Sequence, residues 1–531
     1  MPTASDILDQ HVTLRYRSVD RLFLNGYIPL LQTPGALMCF LERDGPIASP
    51  ALLQRRSDAF VRDLKAYAAA HEVPWIAFAR KERKEERIRP LFRAAERAGR
   101  SGLVAVGVAQ ERMNAWHGRP RPTPRGSVTF DWSWRSVCVN HFYLYILDGD
   151  CGPSFIKIAG YAPWGIRVWL NGHEWLKRQL ARRGVAFGEL DNGIRSCERP
   201  EVLTDLAARF GPAEVRRYFA RWMAELPQPL TAADRAAGHG HALSMLQVEV
   251  SDTAVFDRPV RGRQWFEAQI PQLLTTGRPG QIGLLFERRV QKNTPSRFKT
   301  EVVSSTTLPT IRFTYKHSAV KQYLKEGRAL RTETTFGDPY DVGIGRRLDN
   351  LPKLIERGQR VNAKLLELEA AVDDARLAGP ELTCLTRPVR DERGRRTAAL
   401  RLGDLRVMAL LAALVAIFAR HLAAGFGNAQ LRRIVADLLG VPLEEYTSAK
   451  MTYDLGRLAG HGLIAGLPRT RRYQLTPFGL RAAAFLTELA DRVLDPGIAR
   501  CASPPPSPEH SVWRSLERAL DEIVHHAGLA A

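Results

Sequence analysis

The side chains best suited to chemistry lie in residues 310–335 of the sequence. Alternating apolar and polar residues there predict a strand followed by a hairpin that turns near Glu326-Gly327. If the turn contains three residues, Tyr323 lies opposite Arg331 and Lys321 lies opposite Glu333. If it contains two, the partners shift by one residue and the faces change. In the first register a tyrosine, two cations and a carboxylate share one surface.

Such a set could attack a phosphodiester bond. Tyr323 would be the nucleophile, Arg331 and Lys321 would stabilise the developing charge, and Glu333 would hold a metal ion, Mg²⁺ or Mn²⁺. The alternative is structural, because a tyrosine in a strand commonly packs against its neighbours and a Lys–Glu pair commonly lies on a sheet surface. The residues alone leave both interpretations open.

A second candidate metal site consists of Asp148 and Asp150, which flank Gly149. Two carboxylates so close together could bind a divalent cation. The same sequence is also typical of a tight hairpin turn, which needs no metal.

The segment 310–335 has a weak local similarity to the final strands of rolling-circle replication initiators. That resemblance implies cleavage of a DNA strand through Tyr323. Those enzymes usually also carry a histidine–hydrophobic–histidine metal motif. The nearest match in this chain is His239-Gly240-His241, which has glycine in the middle position.

The strongest functional pattern lies in residues 404–482. An apolar helix is predicted over 407–419, a second helix over 428–439, and a third over 448–460 that is capped by Thr447 or Ser448. A β-ribbon follows, with a basic tip at Arg469, Arg471 and Arg472. Burial of Met451, Leu455 and Leu458 would leave one face of the third helix exposed. The residues expected to face outward there are Lys450, Tyr453, Asp454 and Arg457.

This order of elements resembles the winged helix-turn-helix modules of MarR-type bacterial regulators. A helix fits the major groove of DNA, and a basic ribbon beside it can reach phosphates. Residues 425–482 contain eight Lys or Arg and four acids, a net charge of +4. The resemblance therefore implies duplex DNA as the partner, contacted by Lys450, Tyr453 and Arg457 on the helix and by the three ribbon arginines. The alternative is a winged helix that contacts protein.

Composition supports a polyanionic partner. The chain has 531 residues and a net charge of +21, which favours nucleic acid first and an anionic membrane second. Residues 80–125 alone hold 13 Lys or Arg and five acids. The most apolar stretch, 407–419, is shorter than the ~20 residues that a membrane-spanning helix needs. Six scattered cysteines without a C-x-x-C pair favour a reduced, cytoplasmic protein.

The predicted fold class is α+β and multidomain. We expect an N-terminal α/β domain over 1–126, ending in the proline-rich segment 118–126. A central mixed β-sheet domain should cover 127–387 and a winged helix 395–495. A Pro-rich tail with a short helix would occupy 496–531.

Three strings, at 22–29, 170–175 and 328–333, are similar to a widespread bacterial family of no established activity, sometimes labelled as winged-helix regulators. The resemblance implies a bacterial origin and a shared multidomain layout. The leading hypothesis is a DNA-binding protein of a mobile element or replication system that could also nick DNA. A transcription regulator with a large sensor or partner-binding front end is one alternative. An RNA-binding protein that stacks bases on its aromatic-rich strands is another, and a homodimer is compatible with each.

Overall fold

The computed structural model describes residues 10–122, 128–266, 286, 298–303, 309–373, 379–390, 394, 396–421, 426–467 and 470–490. They divide into two compact units. The first is built from the described residues of 11–267 and 292–363, and the second mainly from those of 364–490. The protein is a mixed α/β structure.

The first unit is organised around one large sheet. Its strands and those of a small separate hairpin are β1 (Val12–Tyr27), β2 (Trp75–Ala77), β3 (Gly102–Pro122), β4 (Val128–Asp148), β5 (Gly152–Ala159), β6 (Ile166–Asn171), β7 (Phe187–Leu190), β8 (Gly193–Cys197), β9 (Ala242–Phe256), β10 (Phe298–Val303), β11 (Thr310–Tyr315), β12 (Ser318–Lys325) and β13 (Ala329–Phe336). Eleven strands pair in the order β10-β11-β12-β13-β9-β1-β6-β5-β4-β3-β2, and β7 pairs with β8. The pairs are antiparallel except β2–β3, which is parallel.

Helices cover both faces of this sheet. They are α1 (Pro34–Leu41), α2 (Pro50–Ala70), α3 (Lys84–Arg97), α4 (Gly172–Arg182), α5 (Pro200–Arg209), α6 (Pro212–Glu225), α7 (Ala232–Ala236) and α8 (Leu351–Asp373). Short 3₁₀ helices occur at Pro29–Leu31, Pro339–Val342 and Leu348–Asn350.

The predicted boundary near residue 126 is wrong, because the two regions it was meant to separate share the sheet. The strand β1 lies between β9 and β6, and β3 pairs with β4 along its whole length, as far as Pro122 opposite Val128. Prolines at 120 and 122 are tolerated because β2 pairs with β3 only at residues 106–108, which leaves the proline-bearing end of β3 without a second neighbour among the strands that the structure describes. The described residues of 10–122 therefore belong to the same unit as β4–β13.

The two faces of the sheet differ in chemistry. On one, α2 packs Phe60 edge-on against Phe142 at a centroid distance of 5.6 Å. On this face α8 also places Asn362 to accept a hydrogen bond from the Thr334 hydroxyl and to donate one to the carbonyl of Val250 at 3.0 Å. The opposite face carries a buried polar cluster and a row of aromatic rings. It is covered by α3, α4, α5 and the β7–β8 hairpin.

The second unit is mainly helical. It contains α9 (Gly379–Thr386), β14 (Val389–Arg390), β15 (Arg396–Thr397), α10 (Leu405–His421), α11 (Asn428–Leu439), α12 (Ser448–Gly460), β16 (Ile464–Gly466), β17 (Tyr473–Leu475) and α13 (Pro477–Leu489). The strands form two separate pairs, β14–β15 and β16–β17.

The helix predicted over 407–419 is confirmed as a buried element, because α10 contributes Leu410, Leu411 and Leu414 to a core shared with α11 and α12. The predicted tail over 496–531 lies outside the described residues. Within the part of the chain that the structure describes, every helix is too short or too polar to cross a bilayer.

A single glycine fixes how α4 meets the central strand. Asn171 caps α4 by accepting hydrogen bonds from the backbone N–H of His173 at 2.9 Å and of Glu174 at 3.4 Å. A Cβ on Gly172 would lie 1.9 Å from the carbonyl oxygen of Val19 on β1. Only glycine allows the first turn of α4 to approach β1 this closely.

We therefore expect Gly172→Ala to destabilise the protein by at least about 2 kcal/mol, because the clash is with backbone and cannot be relieved by a rotamer change. Urea denaturation followed by circular dichroism measures the effect. Gly35→Ala is the matched control, since a Cβ there meets nothing within 4 Å. Equal stability of the two variants would contradict the proposed packing.

Candidate functional site

The hairpin β12–β13 has the register predicted for a three-residue turn. Tyr323 pairs with Arg331 and Lys321 with Glu333. Lys325 pairs with Ala329 and closes the turn. The four candidate catalytic residues predicted from the sequence therefore share one face of the adjacent strands β12 and β13.

Tyr323 and Lys321 both contact the carboxylate of Glu333. The Tyr323 hydroxyl donates to its Oε2 at 3.1 Å, and the Nζ of Lys321 lies 2.8 Å from its Oε1. Burial raises the pKa of Tyr323, and the negative charge of Glu333 raises it further. Formation of a phenolate is therefore harder here than in water. Glu333 is buried and Lys321 is partly exposed.

The side chain of Arg331 contacts other residues, Asp20 and Thr253. Its side chain is 1% exposed, and its Nη1 lies 3.3 Å from Oδ2 of Asp20. Its Nε donates to the Thr253 hydroxyl at 3.3 Å. A cation so enclosed cannot reach a phosphate, so among the four predicted residues only Tyr323 and Lys321 have side chains that approach the surface.

Asp20 is the centre of the buried cluster. Besides Arg331, its carboxylate accepts hydrogen bonds from Ser18 at 3.2 Å and from Ser251, and lies 2.8 Å from Nε2 of His173. Burial opposes a charge on Asp20, but His173 and Arg331 outweigh it and hold the pKa of Asp20 below its usual range. Burial also lowers the pKa of His173, so the neutral ring donates its Nε2–H to Asp20.

A β-bulge places Asp20 in this position. The register of β1 against β9 shifts between Val19, which pairs with Val250, and Arg21, which pairs with Glu249. Asp20 is the extra residue of the bulge. Bulges re-aim side chains in this way, and here the result is a carboxylate on the same face as Ser18 and Arg331.

The two aspartates predicted to bind metal have other partners. Asp148 is fully buried, and its Oδ1 accepts the backbone N–H groups of Asp150 and Cys151 at 2.8 and 2.7 Å. Its Oδ2 accepts from Trp222 at 2.7 Å and also from Arg221. Asp150 contacts arginine side chains of α4 and α6. The hairpin-turn interpretation is therefore the one that fits, and neither carboxylate is placed to hold Mg²⁺ or Mn²⁺.

The predicted metal site at Asp148 also lies far from the predicted nucleophile Tyr323. Asp148 is on β4 and Tyr323 on β12, six steps apart in the sheet order, or roughly 30 Å at about 4.8 Å per strand. The Nε2–H of His241 donates to the carbonyl of Trp164 at 3.0 Å, and burial lowers the pKa of His241 to about 4. No cluster of three or more His, Cys, Asp or Glu side chains arranged for a metal occurs among the residues that the structure describes.

In the second unit, the outer face of α12 is exposed. Tyr453 is 57% exposed, and Lys450 is exposed with its Nζ 2.9 Å from the carbonyl of Glu445. On the β16–β17 ribbon Arg471 is exposed and Arg472 half-buried. Arg469, which was also predicted to contact DNA, lies outside the described residues.

Two residues of α12 differ from the prediction. Asp454 is buried, not outward-facing, because Arg406 of α10 forms an ion pair with it at 2.6 Å and Tyr446 donates a hydrogen bond to it. Arg457 is also turned inward, with its side chain 13% exposed and its Nη2 donating to the carbonyl of Ala399 at 2.6 Å. Asp454 is the only acid on α12, so the exposed face of this helix carries no carboxylate.

Sequence reasoning missed the roles of Asp20 and His173. The one available signal is a charged residue inside an otherwise strand-like segment, Ser18-Val-Asp20-Arg-Leu22, which predicts either a bulge or a buried pair. The partner could not have been named, because His173 lies 153 positions further along the chain.

Comparison of the chain with protein-family models, with curated proteins and with solved structures found no match. The geometry of the described residues is therefore what supports the proposals below.

Asp20→Asn should lower the free energy of unfolding by about 3–5 kcal/mol, because it leaves Arg331 buried without its counter-charge. The pKa of Asp20 is lowered, so its stabilising contribution is complete above about pH 5. The contribution is lost as the pH falls through the unfolded pKa of about 4 toward the folded pKa. The variant should therefore lose less stability than the parent on acidification from pH 5 to pH 3. Urea titrations across this range measure both effects. Glu86→Gln, in an exposed pair with Arg83, is the control and should change stability by less than about 0.5 kcal/mol.

Tyr323→Phe should cost about 1 kcal/mol of stability through the lost hydrogen bond to Glu333, with DNA binding unchanged. Tyr340→Phe, at an exposed tyrosine, is the matched control. Incubation with single-stranded and structured DNA in Mg²⁺ or Mn²⁺ tests the alternative role of Tyr323. A covalent protein–DNA adduct formed by the parent and absent from Tyr323→Phe would overturn the structural interpretation.

Proposed function

We propose that this chain is a duplex DNA-binding protein and that residues 395–495 form a winged helix. The order α10, α11, α12, β16, β17, α13 is that of such a module. Asn428, at the start of α11, donates to the carbonyl of Ser448 and to the hydroxyl of Thr452 on α12, at 3.0 and 2.9 Å. These contacts support a fixed angle between the two helices.

The observation that carries the proposal is the exposed face of α12. This helix has 13 residues, about 20 Å at 1.5 Å per residue, which suits the major groove. Lys450 and Tyr453 are exposed on it, and both can donate hydrogen bonds to phosphates or base edges. With Asp454 buried against Arg406, no acid on this face would repel the DNA backbone.

The ribbon adds a second contact in this proposal. Arg471 is exposed beside β17, where a wing reaches phosphates. Arg457, in contrast, would support the site indirectly, since its guanidinium holds the 399 segment against α12. We therefore assign DNA contact to Lys450, Tyr453 and Arg471, and a positioning role to Arg457.

Binding of the full-length protein to a 30-base-pair duplex, measured by fluorescence anisotropy over a salt series, tests this assignment. Lys450→Gln and Arg471→Gln should each weaken binding several-fold and reduce the salt slope by about 1, because each removes one phosphate contact. Tyr453→Ala should weaken binding without changing the slope. Arg401→Gln removes an exposed charge of the same unit and should leave both quantities unchanged.

A double charge reversal, Lys450→Glu with Arg471→Glu, gives the decisive comparison. Loss of duplex binding with an unchanged circular dichroism spectrum would support the proposed interface. Duplex binding equal to that of the parent would refute it.

A further inference from the structure

A large cavity lies in the first unit, over strands β4, β5 and β6 and between α3 and α4. Its volume is about 1000 Å³. The aromatic rings of the sheet form its floor, and charged side chains of the two helices form its walls. Pockets of this size bind ligands in many proteins.

Four aromatic rings make up the floor. The strand register places Tyr145 opposite Phe155 and Phe155 opposite Trp169, so that these rings stand in one row across three strands. The planes of Phe155 and Trp169 are 8° apart, with ring centroids separated by 5.9 Å. Tyr143 and Tyr145 lie side by side at 14° and 5.9 Å. Phe155 and Trp169 are half-buried, so their parallel rings leave an accessible apolar surface at the end of the row, the Phe155–Trp169 platform.

A row of arginines borders the platform. Arg89, Arg93 and Arg97 recur every four residues along α3 and therefore lie on one side of that helix. Arg89 and Arg93 line the cavity, and Arg93 and Arg97 line an adjoining groove of about 910 Å³. Arg89 is paired with Glu85, whereas Arg93 and Arg97 have no acidic partner among the residues that the structure describes.

We infer that this cavity binds unpaired nucleotides of a single strand, with bases stacked on the Phe155–Trp169 platform and phosphates beside Arg93 and Arg97. Stacking needs an exposed face of the base, and within a duplex those faces are covered by neighbouring base pairs. A cationic groove that continues from a ring platform is the arrangement that single-strand binders use to follow the backbone. The cavity is therefore a second nucleic-acid site, distinct from the duplex interface proposed for α12.

The geometry of α4 supports this assignment. Lys177 is held by Glu174 and Glu189 at 3.0 and 2.9 Å, and Arg178 pairs with Glu96 at 3.2 Å. The cations of this wall are thus neutralised by their own partners. The positive charge of Arg93 and Arg97 lies on the α3 side of the cavity. The phosphates of a bound strand would therefore lie along α3.

Anisotropy of labelled oligothymidine and oligouridine of 12 nucleotides, with the full-length protein, tests the inference. Trp169→Ala should weaken single-strand binding by about tenfold or more, since stacking on one aromatic ring contributes that much per base. Trp169→Phe keeps a ring at the same position and should remain within a few-fold of the parent, which guards against a folding defect. Arg93→Gln should weaken binding and reduce the salt slope by about 0.7, and Arg100→Gln, an exposed arginine outside the cavity, should not.

Duplex binding is measured in parallel. Loss of single-strand binding in Trp169→Ala with duplex binding retained supports this site and is independent of the α12 interface, which Tyr453→Ala tests. Single-strand binding by Trp169→Ala equal to that of the parent would overturn the inference. Displacement of the oligonucleotide by thymidine monophosphate at a similar concentration would assign the cavity to a free nucleotide and overturn the strand-binding site.

Discussion

A charge buried at the middle of the sheet determines much of this architecture. Asp20 is enclosed by Arg331 and His173, and both partners come from distant parts of the chain. A carboxylate in such a position is tolerated only when it is paired and hydrogen-bonded, so β1, β13 and α4 must meet with little freedom of placement. The bulge at Asp20 and the close approach of Gly172 to Val19 both allow β1, β13 and α4 to come together around this carboxylate.

The same constraint positions the walls of the cavity. His173 follows the cap of α4, and one turn later the helix carries Lys177 and Arg178. Because His173 is fixed by Asp20, the cavity side of α4 is fixed relative to the aromatic floor, which stands on strands of the same sheet. A binding site built on strands and an anchored helix is more precise than one built on loops.

Several parts of this structure could be predicted from the sequence, for local reasons. The hairpin turn near Glu326 was predicted, with the observed three-residue register as one of the two left open, and the apolar run at 407–419 forms a buried helix. The helix α12 shows what local sequence patterns cannot predict. Periodicity identified Met451 and Leu455 as buried, but it assigned Asp454 to solvent because the pairing of Asp454 depends on Arg406 of another helix.

The proline-rich segment misled the prediction for a different reason. Proline is excluded from strands with neighbours on both sides, but among the described strands the far end of β3 pairs only with β4. Whether a strand lies at an edge depends on the order of the whole sheet, which residues 118–126 do not encode. Likewise, nothing near Asp148 indicates that Trp222 will occupy its second oxygen.

The central position of β1 has a consequence for biosynthesis. Both neighbours of this strand, β6 and β9, are encoded far downstream, at 166–171 and 242–256. At about 5–20 residues per second, β1 leaves the ribosome roughly ten to fifty seconds before β9 exists. During that interval at least one edge of β1 is unpaired and Asp20 lacks its counter-ion Arg331, so a half-apolar segment must avoid aggregation until much of the unit has been translated.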